Sequence, residues 1–217
     1  MPSGETRAGW GRNRDDEEMT ESLLLEAVGV KGETGWLARN LTLGLLPGQV
    51  LAVVGPQSAD TLRGLLMIVG ALPPDEGKVV NTTGMPAVGW IPTGPGLTPG
   101  VTVIDHMLDA ASVRKPTIGT AELHDRLRQV GLDVEARRRV ETLDHSEKVR
   151  LGLAMALVRQ VGVVAIPDLD SGLPAELVSQ LWSLVFSLAG TGMVVVVGCA
   201  TPDPRCHLAL ELWRFGS

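Results

Sequence analysis

The feature that most constrains this chain is an apolar run that leads through a short turn into a helix. Val50–Val54 contains no polar residue, which is typical of a strand buried on both faces. Gly55 and Pro56 end the run, and apolar residues then recur at helical spacing over Thr61–Ala71. Because a strand buried on both faces needs covering layers on each side, the sequence predicts an α/β fold around a largely parallel sheet.

The turn between this strand and its helix is laid out like the phosphate-binding loop Gly-x-x-x-x-Gly-Lys-[Ser/Thr]. Gly55 stands at the first glycine, but Asp60, Thr61 and Leu62 replace the second glycine, the lysine and the hydroxyl residue. A frame shifted by two residues places Asp60 at the lysine and Thr61 at the hydroxyl, which supplies a metal ligand but no positive charge. A carboxylate at Asp60 is expected to repel phosphate. The residues predicted to line this altered pocket are Gly55, Ser58, Asp60, Thr61 and Leu62.

Composition and charge exclude several classes of function. The 217 residues carry a net charge of −6, and because nucleic-acid binding needs clustered Lys and Arg, no nucleic-acid partner is expected. No apolar run approaches the roughly 20 residues that a membrane-spanning helix needs. Residues 1–20 lack the apolar core of a signal peptide and are predicted to form a disordered tail. Cys199 and Cys206 show no metal-ligand spacing, so no metal site is expected.

Predicted strands and helices alternate along the rest of the chain. Strands are predicted at Leu23–Val30, Leu41–Leu45, Val50–Val54, Pro86–Ile91, Val161–Ile166, Met193–Val197 and near Leu208–Trp213. Helices are predicted at Thr61–Ala71, Val103–Ala111, Ala121–Val130, from Asp144 through Leu157, and at Ala175–Ala189. Asp144 with Glu147 three residues later predicts a capping box. We expect residues 21–217 to form one domain, with a helical insertion at about 94–160.

A series of segments, in matching order and spacing over residues 23–215, resembles the ATP-binding cassette of ABC transporters. The segments are Leu41–Pro56 at the phosphate loop, Gly70–Gly77 after its helix, Gly89–Thr93 at the Q-loop, Leu97–Val103 at the start of the helical subdomain, Leu143–Leu157 at the signature motif, Val163–Pro174 at Walker B and the D-loop, and Val194–Cys199 at the H-loop. The resemblance implies a P-loop NTPase-like sheet with flanking helices, an N-terminal antiparallel β part and a helical subdomain.

The chain departs from the family's pattern at each chemically active position. Thr93 stands in place of the Q-loop glutamine and joins the predicted pocket residues. His145 and Ser146 replace the glycine pair of the signature motif, and Cys199 replaces the H-loop histidine. Near Lys31, where the family stacks an aromatic ring on adenine, no clear counterpart is present.

The Walker B motif and the catalytic acid position that follows it are altered as well. Pro167 stands at the Walker B aspartate, and Asp168 stands at the catalytic acid position. In a frame shifted by one, Asp168 is the Walker B acid and Leu169 takes the catalytic position, so neither frame keeps both acids. Asp168 and Asp170 are otherwise interpreted as loop caps, and His145 as a solvent-exposed residue of a first helical turn.

The resemblance therefore implies a degenerate cassette, a pseudo-ATPase subunit of a membrane-associated complex with a structural or regulatory role. No cofactor is expected, and binding of Mg-ATP is expected to be weak. The implied partners are a transmembrane permease, contacted through residues 93–112, and a second cassette as heterodimer or homodimer. The implied location is the cytoplasmic face of the cell membrane. The alternatives are an active but atypical ATP-binding subunit with a composite site, and a soluble regulatory interaction module.

Overall fold

The computed structural model describes residues 21–56, 58–92, 96–112, 118–132, 136–158 and 161–212. The predicted tail at 1–20, the Q-loop residue Thr93 and Trp213 lie outside these ranges. The strands are β1 (Leu23–Gly32), β2 (Gly35–Leu45), β3 (Val50–Val54), β4 (Glu76–Asn81), β5 (Ala87–Val88), β6 (Val163–Ile166), β7 (Val194–Cys199) and β8 (Leu208–Glu211). The helices are α1 (Ala59–Ile68), α2 (Val103–Ser112), α3 (Thr120–Gln129), α4 (His145–Leu157) and α5 (Ala175–Ala189), with a short 3-10 turn at Val140–Thr142.

The central sheet has five parallel strands in the order β5-β6-β7-β3-β8. Alternate residues of its inner strands point to opposite faces. Ala52 and Val195 pack with α2 to α5, whereas Val53 and Val196 pack with α1 and the N-terminal strands. This two-sided burial explains the uninterrupted valine runs and confirms the predicted parallel α/β sheet.

A smaller antiparallel sheet, in the order β2-β1-β4, covers one side of the molecule. This arrangement confirms the antiparallel N-terminal part, although β1 and β2 are longer than predicted and β4 was not predicted. The segment that forms β4 is polar and half-exposed, so it lacks the apolar pattern of a core strand. Gly77 lets β4 approach β1, because its φ is +75° and a Cβ there would lie 2.3 Å from the Ala27 carbonyl oxygen.

The helices α2, α3 and α4 pack together as the helical part. At the start of α4 both halves of the predicted capping box are formed. Asp144 accepts the Glu147 amide at 2.8 Å, and the Glu147 carboxylate accepts the Asp144 amide at 2.9 Å. Arg138 reinforces this turn by donating to both Glu147 oxygens. The capping box fixes where α4 begins and hence where His145 projects.

Several element boundaries differ from the prediction. The strand expected at Pro86–Ile91 is reduced to the two residues of β5. The helix α1 begins at Ala59, two residues before the predicted start, because Ser58 caps it. No helix in the described ranges is long and apolar enough to cross a bilayer.

Candidate functional site

The candidate site is a cavity of about 320 Å³ where the carboxyl ends of β3, β6 and β7 meet. Ligands of open α/β sheets bind at this edge. The loops there are tied together, because Gly55 donates its amide to the Cys199 carbonyl at 3.3 Å and Leu169 donates to the Gly198 carbonyl at 3.0 Å. The lining residues are Gly55, Pro56, Ser58, Ala59, Thr61, Leu62, Pro92, Pro167, Asp168, Gly198 and Cys199.

The loop that precedes α1 is held to the first turn of that helix by hydrogen bonds between two hydroxyl residues. The Ser58 hydroxyl accepts the Thr61 amide at 3.1 Å, and the two side-chain oxygens of this pair also lie 3.1 Å apart. Thr61 is only 9% exposed and packs against Gly55, where a Cβ would lie 3.0 Å from the Thr61 Oγ1. In a phosphate-binding loop, amides of the first helical turn face an anion. Here Ser58 already occupies one of those amides.

Asp60 belongs to a neighbouring cavity of about 410 Å³ rather than to the first one. Both of its carboxylate oxygens accept the Glu33 amide at 3.2 Å, which fastens the β1–β2 hairpin to the start of α1. The hairpin is held further by Arg63, which donates to the Lys31 carbonyl and to Asp75. The structure therefore gives Asp60 a bonding role in the fold.

The lysine, metal-ligand and Walker B positions all present uncharged groups to the cavity. Thr61 and Leu62 line it from α1, and Pro167 lines it from the end of β6. Gly198 packs directly against Pro167, since a Cβ at Gly198 would lie 2.2 Å from the Pro167 carbonyl oxygen. None of the described lining residues is a lysine, an arginine or a histidine.

Asp168, the residue at the catalytic acid position, is 5% exposed and lines the cavity. Its Oδ1 accepts the Ser171 amide at 3.2 Å, and its Oδ2 lies 3.8 Å from Nε2 of His145. Asp170 accepts the amides of Ala200 and Thr201. The loop-cap interpretation is thus confirmed for both carboxylates, and Asp168 has the additional histidine neighbour.

The interpretation of His145 as a solvent-exposed residue is wrong. Its side chain is 21% exposed, and its ring stands edge-on to Trp90 with centroids 5.2 Å apart. The pairing with Asp168 was missed because the two residues are far apart in sequence. It forms because the capping box directs the first turn of α4 toward the end of β6.

Cys199 cannot replace the H-loop histidine as a proton acceptor near neutral pH. Burial, with smaller contributions from the nearby Asp170 and Cys206, raises the pKa of its thiol to about 12. The thiol therefore stays protonated and acts as an apolar wall of the cavity. Within the described ranges no group of three or more His, Cys, Asp or Glu side chains is placed to hold a metal ion.

An aromatic residue does lie in the hairpin near the predicted adenine-stacking region. Trp36 on β2 is covered by two cations, with the Lys31 ammonium 4.7 Å and the Arg39 guanidinium 4.6 Å from its ring centroid. Arg39 also pairs with both oxygens of Glu76. The sequence pattern did not single out Trp36, because only the folded hairpin brings these side chains together.

A second feature is a groove of about 560 Å³ between β5, α2 and α4. The apolar side chain of Met85 lines it and is 70% exposed. The buried His106 accepts the Thr98 amide at 3.1 Å and so holds the loop that enters α2. Leu97, which lies in the segment 93–112 expected to contact a permease, is partly buried against the protein's own core.

Three relatives found by comparison with known proteins are all named as ATP-binding proteins of import systems. No family model matches the chain. It is 28% identical over 205 residues to the thiamine import ATP-binding protein ThiQ of Brucella abortus, covering 88% of this chain and 83% of that protein. It is 28% identical over 212 residues to the taurine import ATP-binding protein TauB of Pseudomonas aeruginosa, covering 88% and 77%. Against the zinc import ATP-binding protein ZnuC of a Chelativorans species it is 25% identical over 188 residues, covering 84% of this chain but 64% of that protein.

Solved structures share the fold. The cbiO1 protein of Clostridium perfringens, part of an ABC transporter complex, superposes with a TM-score of 0.68 at 16% identity, covering 83% of this chain and 79% of that one. A dimeric ATP-binding cassette bound to ADP and Pi gives a TM-score of 0.64 at 17% identity, covering 82% and 88%. The chain is thus similar in sequence to ATP-binding proteins of import systems and shares its fold with solved structures of ABC transporter proteins.

Proposed function

We propose that this chain is a subunit of an ABC-transporter-type complex that has lost nucleotide hydrolysis and serves a structural or regulatory role. The observation that carries this proposal is the state of the lysine position. Thr61 there is buried and bonded to Ser58, and no described residue that lines the cavity carries a basic side chain.

The chemical argument follows from how phosphoryl transfer is catalysed. The reaction depends on positioning and on stabilising charge, through a P-loop lysine, Mg²⁺ and a residue that orients the nucleophile. Leu62 and Pro167 cannot ligate Mg²⁺ through their side chains, and the Cys199 thiol stays protonated near neutral pH. A cavity that lacks the lysine and these metal ligands has little with which to bind or activate a triphosphate.

The proposed location is the cytoplasmic face of the membrane, bound to a permease and paired with a second cassette. The relatives named above are ATP-binding proteins of import systems, which supports this context. The proposed permease contact is the groove that Met85 lines, since an exposed apolar group on a concave surface favours a partner. Within the expected contact segment 93–112, Leu97 packs on its own domain and is not part of the proposed contact.

An active subunit with a composite site is the second candidate. The buried Asp168 beside His145 favours it, because a carboxylate still lies at the catalytic acid position. In that case a partner cassette would supply the missing lysine and metal ligands. The two candidates differ in the number of nucleotides that the assembled complex binds, because a composite site adds one that this chain helps to form.

Copurification from native membranes tests the proposal. The tagged chain should bring down a membrane-embedded protein and a second cassette, both identified by mass spectrometry. The variant Met85→Asp, which places a charge on the groove, should lose the membrane protein. The matched control Leu208→Asp changes a residue that is 41% exposed on β8, at the opposite edge of the sheet, and should not. Recovery of the chain from the soluble fraction without either partner would contradict the proposal and favour a soluble regulatory module.

A further inference from the structure

We infer that the cavity at the ends of β3, β6 and β7 binds a small uncharged organic molecule, one with a compact apolar ring and a single oxygen acceptor, in place of a nucleotide. The inference rests on the proposed function, because it requires that ATP does not fill the same space. Three features of the described lining carry it, namely an apolar wall, a rigid frame and one hydroxyl hydrogen that is left over as a donor.

Three altered positions that lie far apart in the sequence meet in the lining of this cavity. Leu62 near the start of α1, Pro167 directly after β6 and Cys199 at the end of β7 all line it. They stand where the resemblance places a hydroxyl ligand, the Walker B aspartate and the H-loop histidine, so each replaces a polar group by an uncharged, weakly polar one. Burial raises the pKa of the Cys199 thiol to about 12 and so keeps it uncharged. Pockets for small organic molecules have a lining of this kind, mostly apolar with few polar groups.

The same lining disfavours a charged ligand. None of the described lining residues carries a basic side chain, so an anion finds no partner there, and burying an unpaired charge is costly. Asp168 also lines the cavity, but its carboxylate accepts the Ser171 amide at 3.2 Å and lies 3.8 Å from Nε2 of His145. These contacts already engage Asp168, so no ligand contact is assigned to it, and an ammonium group has no dedicated partner.

The frame of the cavity keeps it open at a size that suits one ring. Its volume of about 320 Å³ lies at the lower end of the range of about 300–1,000 Å³ found for ligand pockets. Proline fixes φ at about −65°, and Pro56, Pro92 and Pro167 place this restriction at three points of the lining. The Leu169 amide donates to the Gly198 carbonyl at 3.0 Å and ties two of the loops together. A preformed cavity spares the ligand the cost of ordering these loops.

One hydroxyl hydrogen at the start of α1 is available to a ligand. The Ser58 and Thr61 side chains both line the cavity, and their hydroxyl oxygens lie 3.1 Å apart. Only one of the two hydroxyl hydrogens can lie between these oxygens, so the other remains a donor whichever residue donates. A single donor of this kind matches one oxygen acceptor on an otherwise apolar molecule, such as a ketone.

The test compares three molecules of nearly one shape. The full chain is titrated by calorimetry and by NMR with cyclohexyl methyl ketone, cyclohexanecarboxylate and 1-cyclohexylethylamine, which are uncharged, anionic and cationic at neutral pH. The ketone should bind with a Kd below about 1 mM, at least about tenfold more tightly than either charged molecule, and should shift the amide signals of Leu62 and Cys199. Equal or tighter binding of either charged molecule, or no saturable binding of the ketone, would overturn the inference.

Variants assign the binding to the cavity. Leu62→Trp, which fills the cavity, should abolish ketone binding, whereas Leu208→Trp, at an exposed position on β8, should keep it. Combining Ser58→Ala with Thr61→Val removes both hydroxyl groups and should weaken ketone binding by about fivefold, whereas Ser183→Ala on α5 should not. Should the double variant fail to fold, Leu62→Trp decides alone. Undiminished ketone binding in Leu62→Trp or in the folded double variant would overturn the inference.

A parallel titration with Mg-ATP separates the two proposals. Micromolar binding of Mg-ATP overturns the proposed function and with it the inference. Absence of binding by both ATP and the ketone overturns the inference alone and leaves the proposed function standing. Binding of the ketone without ATP supports both.

Discussion

Restoring a positive charge to the loop before α1 should restore affinity for ATP but not turnover. The variant combines Thr61→Lys with Leu62→Ser, which replaces two lining residues and leaves the Asp60 bond to the Glu33 amide intact. Position 61 is one of the residues that line the cavity of about 320 Å³, which has room for a longer side chain. The new ammonium group can therefore reach a bound phosphate.

The magnitude follows from one added ion contact. At about 4 Å, a unit charge pair is worth about 1 kcal/mol in bulk water and about 4 kcal/mol at an effective dielectric constant of 20. This range corresponds to a gain of about fivefold to about 700-fold in ATP affinity. The substitution also removes the hydrogen bond between Thr61 and Ser58, which should lower the free energy of unfolding by about 0.5–1.5 kcal/mol.

Calorimetric titration with ATP, with and without Mg²⁺, measures the gain. The matched control is Thr61→Met with Leu62→Ser, because methionine has similar length without the charge. Only the lysine variant should gain affinity, and phosphate release should stay at background because Pro167 and Cys199 remain. An equal gain in the methionine variant would show that space, not charge, limits binding. Steady ATP turnover in the lysine variant would refute the reasoning about the remaining positions.

Three further predictions concern the supports of the cavity. Asp60→Ala should accelerate hydrogen exchange at the Glu33 amide and lower the free energy of unfolding by about 1 kcal/mol, and unchanged exchange would argue against the hairpin bond. Gly152→Ala should lower the free energy of unfolding, measured in urea, by about 1–3 kcal/mol, because its Cβ would lie 2.2 Å from the backbone nitrogen of Trp90. The control Gly119→Ala, which places a Cβ in open space, should leave the free energy of unfolding nearly unchanged. Iodoacetamide at pH 8 should leave Cys199 unmodified until the protein unfolds, because burial raises the pKa of its thiol to about 12, and rapid native-state labelling would contradict this.

Most elements of the fold could be predicted from the spacing of apolar residues in the sequence. The uninterrupted run at Val50–Val54 predicted a strand buried on both faces, and the structure places it inside the parallel sheet. The helix over Ala175–Ala189 was predicted with its bounds, since its apolar stripe is long. β4 was missed because an edge strand that is half-exposed has a polar pattern that sequence periodicity does not separate from a loop.

The site was predictable in position but not in its contacts. The layout of Gly55 and its neighbours indicated where a cavity forms, because the carboxyl ends of parallel strands meet there. The contact between His145 and Asp168, and the bond from Asp60 to the hairpin, depend on tertiary packing between distant segments. Sequence spacing alone contains no signal for either of them.

The central claim is that the altered loop no longer binds nucleotide. Titration of the unmodified full chain with Mg-ATP in a calorimeter tests this claim most directly. We predict no heat of binding with ATP at concentrations below about 1 mM, which corresponds to a binding free energy weaker than about −4.1 kcal/mol. A saturable isotherm with micromolar affinity would contradict the account.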